Sequence, residues 1–240
     1  MKKGILGVFL GIVLIALTST AFSGQEKPRI GVLRFTNQTH AGWWSGSMGY
    51  ELQDLLASEL ASTKAFQVLE RKEIDAVLQE QDFGASGRID PKTKAALGKI
   101  KGAKYLVSGT VTAFETQTAG TGGGFSVGGF SFGGRKDKAY MAVDVKVIDT
   151  ETGEIVDNRT IEASSEATGV RIGANIGFAS GSLGNYQKTP TGKAIRACII
   201  EISEYLVCSL TKGRDDPCME AYAQKESKRR ERTKGVIELE

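Results

Sequence analysis

Little in this chain can do acid–base or metal chemistry. It has one histidine, His40, and three cysteines, Cys198, Cys208 and Cys218, in 240 residues. No Cys-x-x-Cys pair occurs, so a zinc site would have to be built from isolated groups, and neither a metal nor a cofactor is expected. A hydrolytic triad would have to use His40, and no Gly-x-Ser-x-Gly elbow presents a serine to it. Phosphate-cradling loops are missing too: Gly-x-Gly-x-x-Gly is absent, and Gly192-Lys193 runs into Ala194 without a glycine five positions before Gly192. The chain therefore reads as a non-enzyme. It also lacks an excess of charge of one sign. Without Lys2 and Lys3, 29 basic residues face 28 acidic ones, which leaves no electrostatic footprint for nucleic acid.

What is present begins with a leader. After Met1, Lys2 and Lys3 the chain carries no charge until Glu26, and its apolar run breaks at Thr18-Ser19-Thr20 before Ala21-Phe22-Ser23. A membrane-spanning helix needs about 20 apolar residues, whereas a short apolar core followed by a small-x-small site is a secretory signal. Residues 1–23 are expected to be cleaved after Ser23, the alternative being an uncleaved N-terminal anchor. No cysteine stands at this junction for acylation, so a mature end at Gly24 is expected to be free of lipid. The protein is expected to be exported, to the periplasm or outer membrane.

The remainder, 24–213, alternates between two periods. Arg29 to Phe35, Phe66 to Glu70 and Tyr105 to Ala113 read as strands, and Met141 to Ile148 with Ile155 to Ile161 as a hairpin around Asp149-Thr-Glu-Thr-Gly153. Leu52, Leu55, Leu56 and Leu60 fall at helical spacing, as do Ile74, Val77 and Leu78. Asp90-Pro91 has the cap and first-turn proline of a helix ending near Lys101-Gly102. A closing helix, about Thr191 to Leu210, carries Ile195, Ile199, Ile202 and Leu206 on one face. This order gives an α/β (α+β) sandwich, a mixed sheet with flanking helices. Two glycine-rich stretches, about 115–138 and 168–188, are too long for ordinary loops.

Four blocks carry a resemblance. Ile30-Gly-Val-Leu-Arg-Phe-Thr-Asn-Gln-Thr39, Phe66-Gln-Val-Leu-Glu-Arg71, Leu97-Gly-Lys-Ile-Lys-Gly-Ala-Lys-Tyr-Leu-Val-Ser-Gly-Thr110 and Asp149-Thr-Glu-Thr-Gly-Glu-Ile155 resemble successive blocks of the curli-assembly CsgG family, in order, within about Pro28 to Leu210. The resemblance implies one of two functions. In one kind, subunits form a homo-oligomeric ring in the outer membrane, each giving two β-hairpins to a shared barrel that exports a secreted, curli-like protein with accessory assembly proteins. In the other, the same core is a soluble or lipid-anchored periplasmic interaction module in envelope biogenesis. The two glycine-rich stretches occupy the places of the channel's hairpins. Counting back without gaps from Leu69-Glu-Arg71, Trp43 and Trp44 fall where the channel kind has its asparagine and phenylalanine constriction. The alternative is that the tryptophans anchor packing or a partner.

The insertions have patterns of their own. Val170, Ile172, Ala174, Ile176 and Phe178 alternate with Arg171, Gly173, Asn175 and Gly177, the dyad of a barrel strand with one lipid-facing side, or of an amphipathic strand on a soluble sheet. Phe125-Ser-Val-Gly-Gly-Phe-Ser-Phe132 is a palindrome. A two-residue turn at Gly128-Gly129 pairs Val127 with Phe130 and Phe125 with Phe132 on one face, and Ser126 with Ser131 on the other. The alternative is a flexible glycine linker.

Three cysteines cannot all pair within one chain. Cys198 and Cys208 are ten helical residues apart, about 15 Å, beyond the roughly 7 Å Cα reach of a bridge. Cys208 is therefore expected to pair with Cys218, which lies past Gly213 and Pro217 where the chain can fold back. Within the charged tail, 214–240, Lys225 to Arg232 has largely cancelling charges and reads as a solvated helix or disordered tail without a role in the channel.

Overall fold

Valine alternation sets the sheet. Val143, Val145 and Val147 are buried, while Asp144 and Lys146 between them are not, the period of two that a strand with one wet face requires. The computed structural model describes residues 26–127, 130–172 and 189–235, and only the backbone of 118–127, 130–136 and 167–172. Its six-stranded mixed sheet contains β1 (Arg29–Val32), β2 (Thr36–Asn37), β3 (Gln67–Leu69), β4 (Tyr105–Val127), β5 (Phe130–Asp149) and β6 (Ile155–Ile172). The strand order is β3-β1-β4-β5-β6, with β2 beside β4. The first four strands pair in parallel, and β4-β5-β6 form an antiparallel meander.

Helices α1 (Met48–Ser62) and α3 (Pro190–Thr211) pack on each other and on the sheet. Met48, Leu52, Leu56 and Leu60 recur every four residues and are fully buried, as a core-facing helical stripe must be. On α3 the stripe is Ile195, Ile199, Ile202 and Leu206. Each such side chain contributes about 1.5–3 kcal/mol relative to exposure, far more than local propensity differences of tenths of a kcal/mol. Thr189 caps α3 by accepting from the Gly192 N–H at 3.1 Å, with Pro190 at the first turn.

Three features depart from the sequence expectation. The helix expected from Asp90 is one turn: the N–H groups of Thr93 and Lys94 donate to the Asp90 carbonyl, and the chain then runs irregularly to β4. Leu97 is 60% exposed and Ile100 40%, so no apolar face is buried to stabilise a helix beyond its cap. Secondly, the first glycine-rich stretch and the start of the second are continuations of core strands rather than separate insertions. Thirdly, Lys225 to Arg232 belongs to α4 (Pro217–Lys234), a mostly exposed helix as one expected alternative had it, but one that is docked on the domain. Asp216 caps this helix, accepting from the Cys218 N–H at 3.0 Å.

Candidate functional site: a β-ribbon and the aromatic loop at its base

Beyond a bulge at Val111/Ala113, β4, β5 and β6 run on together as a three-stranded ribbon. Val127 is opposite Phe130, Ser126 opposite Ser131 and Phe125 opposite Phe132, the register that the Gly128-Gly129 palindrome predicts. On the other side of β5, Phe132 is opposite Ile172 and Gly134 opposite Val170. Because positions two apart share a side, the backbone puts Phe125, Val127, Phe130, Phe132, Val170 and Ile172 on one face. Ser126, Ser131, Arg135 and Arg171 share the other. Ala174, Ile176 and Phe178, with the rest of the expected second hairpin, lie outside the described residues.

Toward the base the first face turns polar. Glu115, Tyr140 and Ser164 align across the three strands, then Gln117, Lys138 and Glu166. Lys138 pairs with Glu166 at 3.4 Å. Burial, and secondarily the Glu162 carboxylate, push the Tyr140 phenol up to about 12. The face thus runs from charged at the base to apolar at the tip.

The loop between β2 and α1 lies against the base of the opposite face. It is fixed at both ends: the Gln38 N–H donates to the Val111 carbonyl at 2.9 Å, and Arg34 Nη2 donates to the Gly46 carbonyl at 3.0 Å. Asn37 Oδ1 accepts from the Thr39 N–H and hydroxyl. Within the loop the two tryptophans separate. Trp43 is 5% exposed and part of the core, 5.0 Å from the Phe114 ring and 5.5 Å from that of Trp44. Its Nε1 is buried without an acceptor among the described residues. Trp44 is half-buried, at the edge of the same cluster. Of the two constriction candidates, Trp43 is therefore packed on Phe114 and Trp44 is the more exposed. Phe114 shares its ribbon face with Met141 and, by alternation, with Arg135 and Arg171, so Trp44 stands beside the polar face.

The disulfide joins Cys208 to Cys218 with Cα atoms 6.1 Å apart, and Cys198 is free and buried. Burial, aided by the Glu201 carboxylate, pushes the Cys198 thiol up to about 12, which makes it inert packing. His40 is exposed in the aromatic loop. Among the described residues no three His, Cys, Asp or Glu side chains converge as metal ligands, and no helix is long and apolar enough to cross a membrane.

Sequence reasoning missed two surfaces. In α2 (Ile74–Ala85) only Gly84 is buried, and Val77, Leu78 and Phe83 are exposed, as are Leu97 and Ile100 after it. The helical spacing of Val77 and Leu78 was the available signal, but it does not say whether their cover is in this chain. The second surface is the contact of α4 with β6, which joins residues far apart in sequence.

The class is thus a mixed α/β domain that extends three strands of its sheet into a ribbon, with an ordered aromatic loop at the ribbon's base. The chain belongs to the CsgG family, described as the curli production assembly/transport component, which it matches over residues 13–237. It is 29% identical over 216 residues to a protein of Neisseria meningitidis serogroup B named as a putative lipoprotein, the match covering 87% of each chain. That name runs against the expectation of an unlipidated mature end. Among solved structures, a hypothetical protein of Chlamydia trachomatis aligns over 76% of this chain and 97% of its own, at 16% identity and a TM-score of 0.44. The PelC dodecamer of Paraburkholderia phytofirmans aligns over 78% and 91%, at 15% identity and a TM-score of 0.32.

Proposed function

We propose that this protein is a subunit of a CsgG-like outer-membrane pore for secretion or assembly of an extracellular, curli-like protein, acting by binding and conducting rather than by catalysis. The observation that carries the reading is the shared face of the ribbon. Apolar alternation in two stretches some 40 residues apart in sequence is brought into one register by β5, with serine and arginine behind it. An amphipathic strand of a soluble sheet needs no such agreement in a ribbon that projects beyond the core. Along β5 from Lys136 to Phe130, which β4 matches with two extra residues between Thr121 and Phe125, the ribbon rises roughly 20 Å at about 3.3 Å per residue. Tilted by about 40°, that is roughly 15 Å of the roughly 25 Å apolar band of an outer-membrane barrel.

Few strands per chain do not close a barrel, and open edges are not viable in lipid, where each unsatisfied backbone group costs several kcal/mol. Edges then pair between subunits through a head-to-tail interface that closes into a homo-oligomeric ring. Exposed Val77, Leu78 and Phe83 on α2 supply apolar surface for such an interface. In the ring the polar face lines the lumen, and Trp44 narrows its entrance.

The same α2 surface favours a second reading, a soluble periplasmic CsgG-fold module whose apolar helix docks an envelope protein. Electron microscopy of the detergent-extracted protein separates the two. Closed rings with a central stain-filled pore support the first; monomers or dimers extracted without detergent support the second.

A further inference from the structure

Among the described residues, nothing pairs with β6 on the side away from β5. An open edge is a template for strand pairing, and proteins blunt such edges with charge, bulges or a covering helix. β6 opens with two exposed apolar residues, Ile155 and Val156. Its next stretch is self-complementary. If two copies met antiparallel about Asn158, beyond the bulge at Val156, Asp157 of one would face Arg159 of the other. Opposite charges directly across a ladder contribute roughly 0.2–1 kcal/mol per pair.

Helix α4 stands in the way. Arg159, Thr160, Ile161 and Glu162, four residues in a row, line one cavity of about 560 Å³ whose other wall is α4 from Tyr222 to Arg232. Successive strand side chains point to opposite faces, so a wall met by four in succession faces the strand's edge. The helix is fastened at both ends. At its start, the Cys208–Cys218 disulfide ties it to α3, and the Tyr222 ring, 7% exposed as a residue, packs edge-on to Tyr205 at 5.0 Å. Further on, Lys225 pairs with Glu201 at 2.5 Å, and Arg232 with Glu162 at 3.2 Å. Both charged members of the self-complementary stretch are occupied. Asp157 accepts from Tyr205 at 2.6 Å and from Ser209. Arg159 lies over the Tyr205 and Tyr222 rings and donates Nη1 to the Tyr222 carbonyl at 2.6 Å.

We propose that α4 is an edge guard, which keeps residues 155–162 of β6 from pairing with the same stretch of a second copy of this chain. Its last fastening, Arg232 to Glu162, falls where the ribbon begins, so the guard closes the edge inside the core sheet and leaves the ribbon to other partners. The proposal does not rest on the pore reading, because the guarded stretch lies outside the ribbon.

The test uses the mature chain in detergent-free buffer. Cys208→Ala, Cys218→Ala and Tyr222→Ala together release the guard, and Asn158→Cys marks the dyad. Expected is at least a twofold rise in sedimenting mass for the released chain and a covalent Asn158→Cys dimer, absent while the guard is intact. Adding Arg159→Glu, which sets like charges opposite each other, should abolish both. A released chain that sediments like the parent, or that associates without the covalent dimer, overturns the proposal. A milder pair, Lys225→Ala with Arg232→Ala, covers the case where the released chain unfolds. Amides of 157–162 should then exchange faster while those of β5 at 141–147 stay protected, and unchanged exchange at 157–162 also overturns it.

Discussion

An alanine Cβ at Gly109 would stand 2.2, 2.5 and 2.7 Å from three ring carbons of Phe35. The ring has no room to retreat. Phe35 is 1% exposed, and its backbone is held against α1, where a Cβ on Gly49 would lie 2.3 Å from the Phe35 carbonyl oxygen. Gly109→Ala therefore overpacks a closed site, at a cost of about 1–3 kcal/mol. For a domain of this size about 1 kcal/mol moves Tm by roughly 2–4 °C, so thermal unfolding followed by circular dichroism should shift down by about 2–12 °C. Gly46→Ala, where a Cβ meets nothing within 4 Å, should change stability by less than about 0.5 kcal/mol. Phe35→Leu removes the obstructing ring. In that background Gly109→Ala should cost at least about 1 kcal/mol less than in the parent, a coupling that contacting residues show and distant ones do not. A Gly109→Ala protein as stable as Gly46→Ala, or strict additivity with Phe35→Leu, would refute the wedge that sets where the aromatic loop begins.

Tyr205→Phe leaves Asp157 with Ser209 alone and should destabilise by about 1.5–3 kcal/mol, the range for hydrogen bonds to charged groups; chemical denaturation measures it, and no change would contradict the tie between α3 and β6. In the native protein no cysteine should react with iodoacetamide at pH 8, and Cys198 alone should react after unfolding without reductant; native labelling of all three sinks the pairing. The Glu226 carboxyl is held down to about 2, first by its hydrogen bond to Arg229 and then by that to Arg230, against partial burial. A depressed carboxylate stabilises above its ordinary value of 4.5 and loses that contribution as pH falls toward 2. Amide protection of α4 should therefore decline across that window, and Glu226→Gln should flatten the decline; a parent chain flat from pH 4.5 to 2 contradicts it.

The core was legible because each stripe is local. Leu52, Leu56 and Leu60 announce α1 by spacing alone, and the Gly128-Gly129 palindrome fixes its register because a two-residue turn leaves one pairing. Cys208 and Cys218 were legible because helix length forbids a Cys198–Cys208 bridge and the chain can fold back past Gly213 and Pro217 to Cys208. Asp90-Pro91 misled because a cap starts a helix but buried surface sustains it, and Leu97 and Ile100 bury too little. Trp43 and Trp44 look alike in sequence; the ring of Phe114, 71 residues beyond Trp43, decides which is core. Likewise the charge pattern of Lys225 to Arg232 allowed a solvated helix but not its docking, which rests on Arg159 reaching Tyr222 across 63 residues. Side chains with distant partners are where sequence periodicity has nothing to say.

The central claim is that one ribbon face meets lipid and the other a lumen, and planar-bilayer recording of two neighbouring variants tests it most directly. Phe132→Arg places a base on the apolar face, where it costs up to about 2–4 kcal/mol depending on depth, and should reduce or abolish channel insertion. Ser131→Arg, one residue away on the polar face, should insert and alter single-channel conductance and ion selectivity. No channels from the parent protein, or the same behaviour from both arginine variants, would contradict the account.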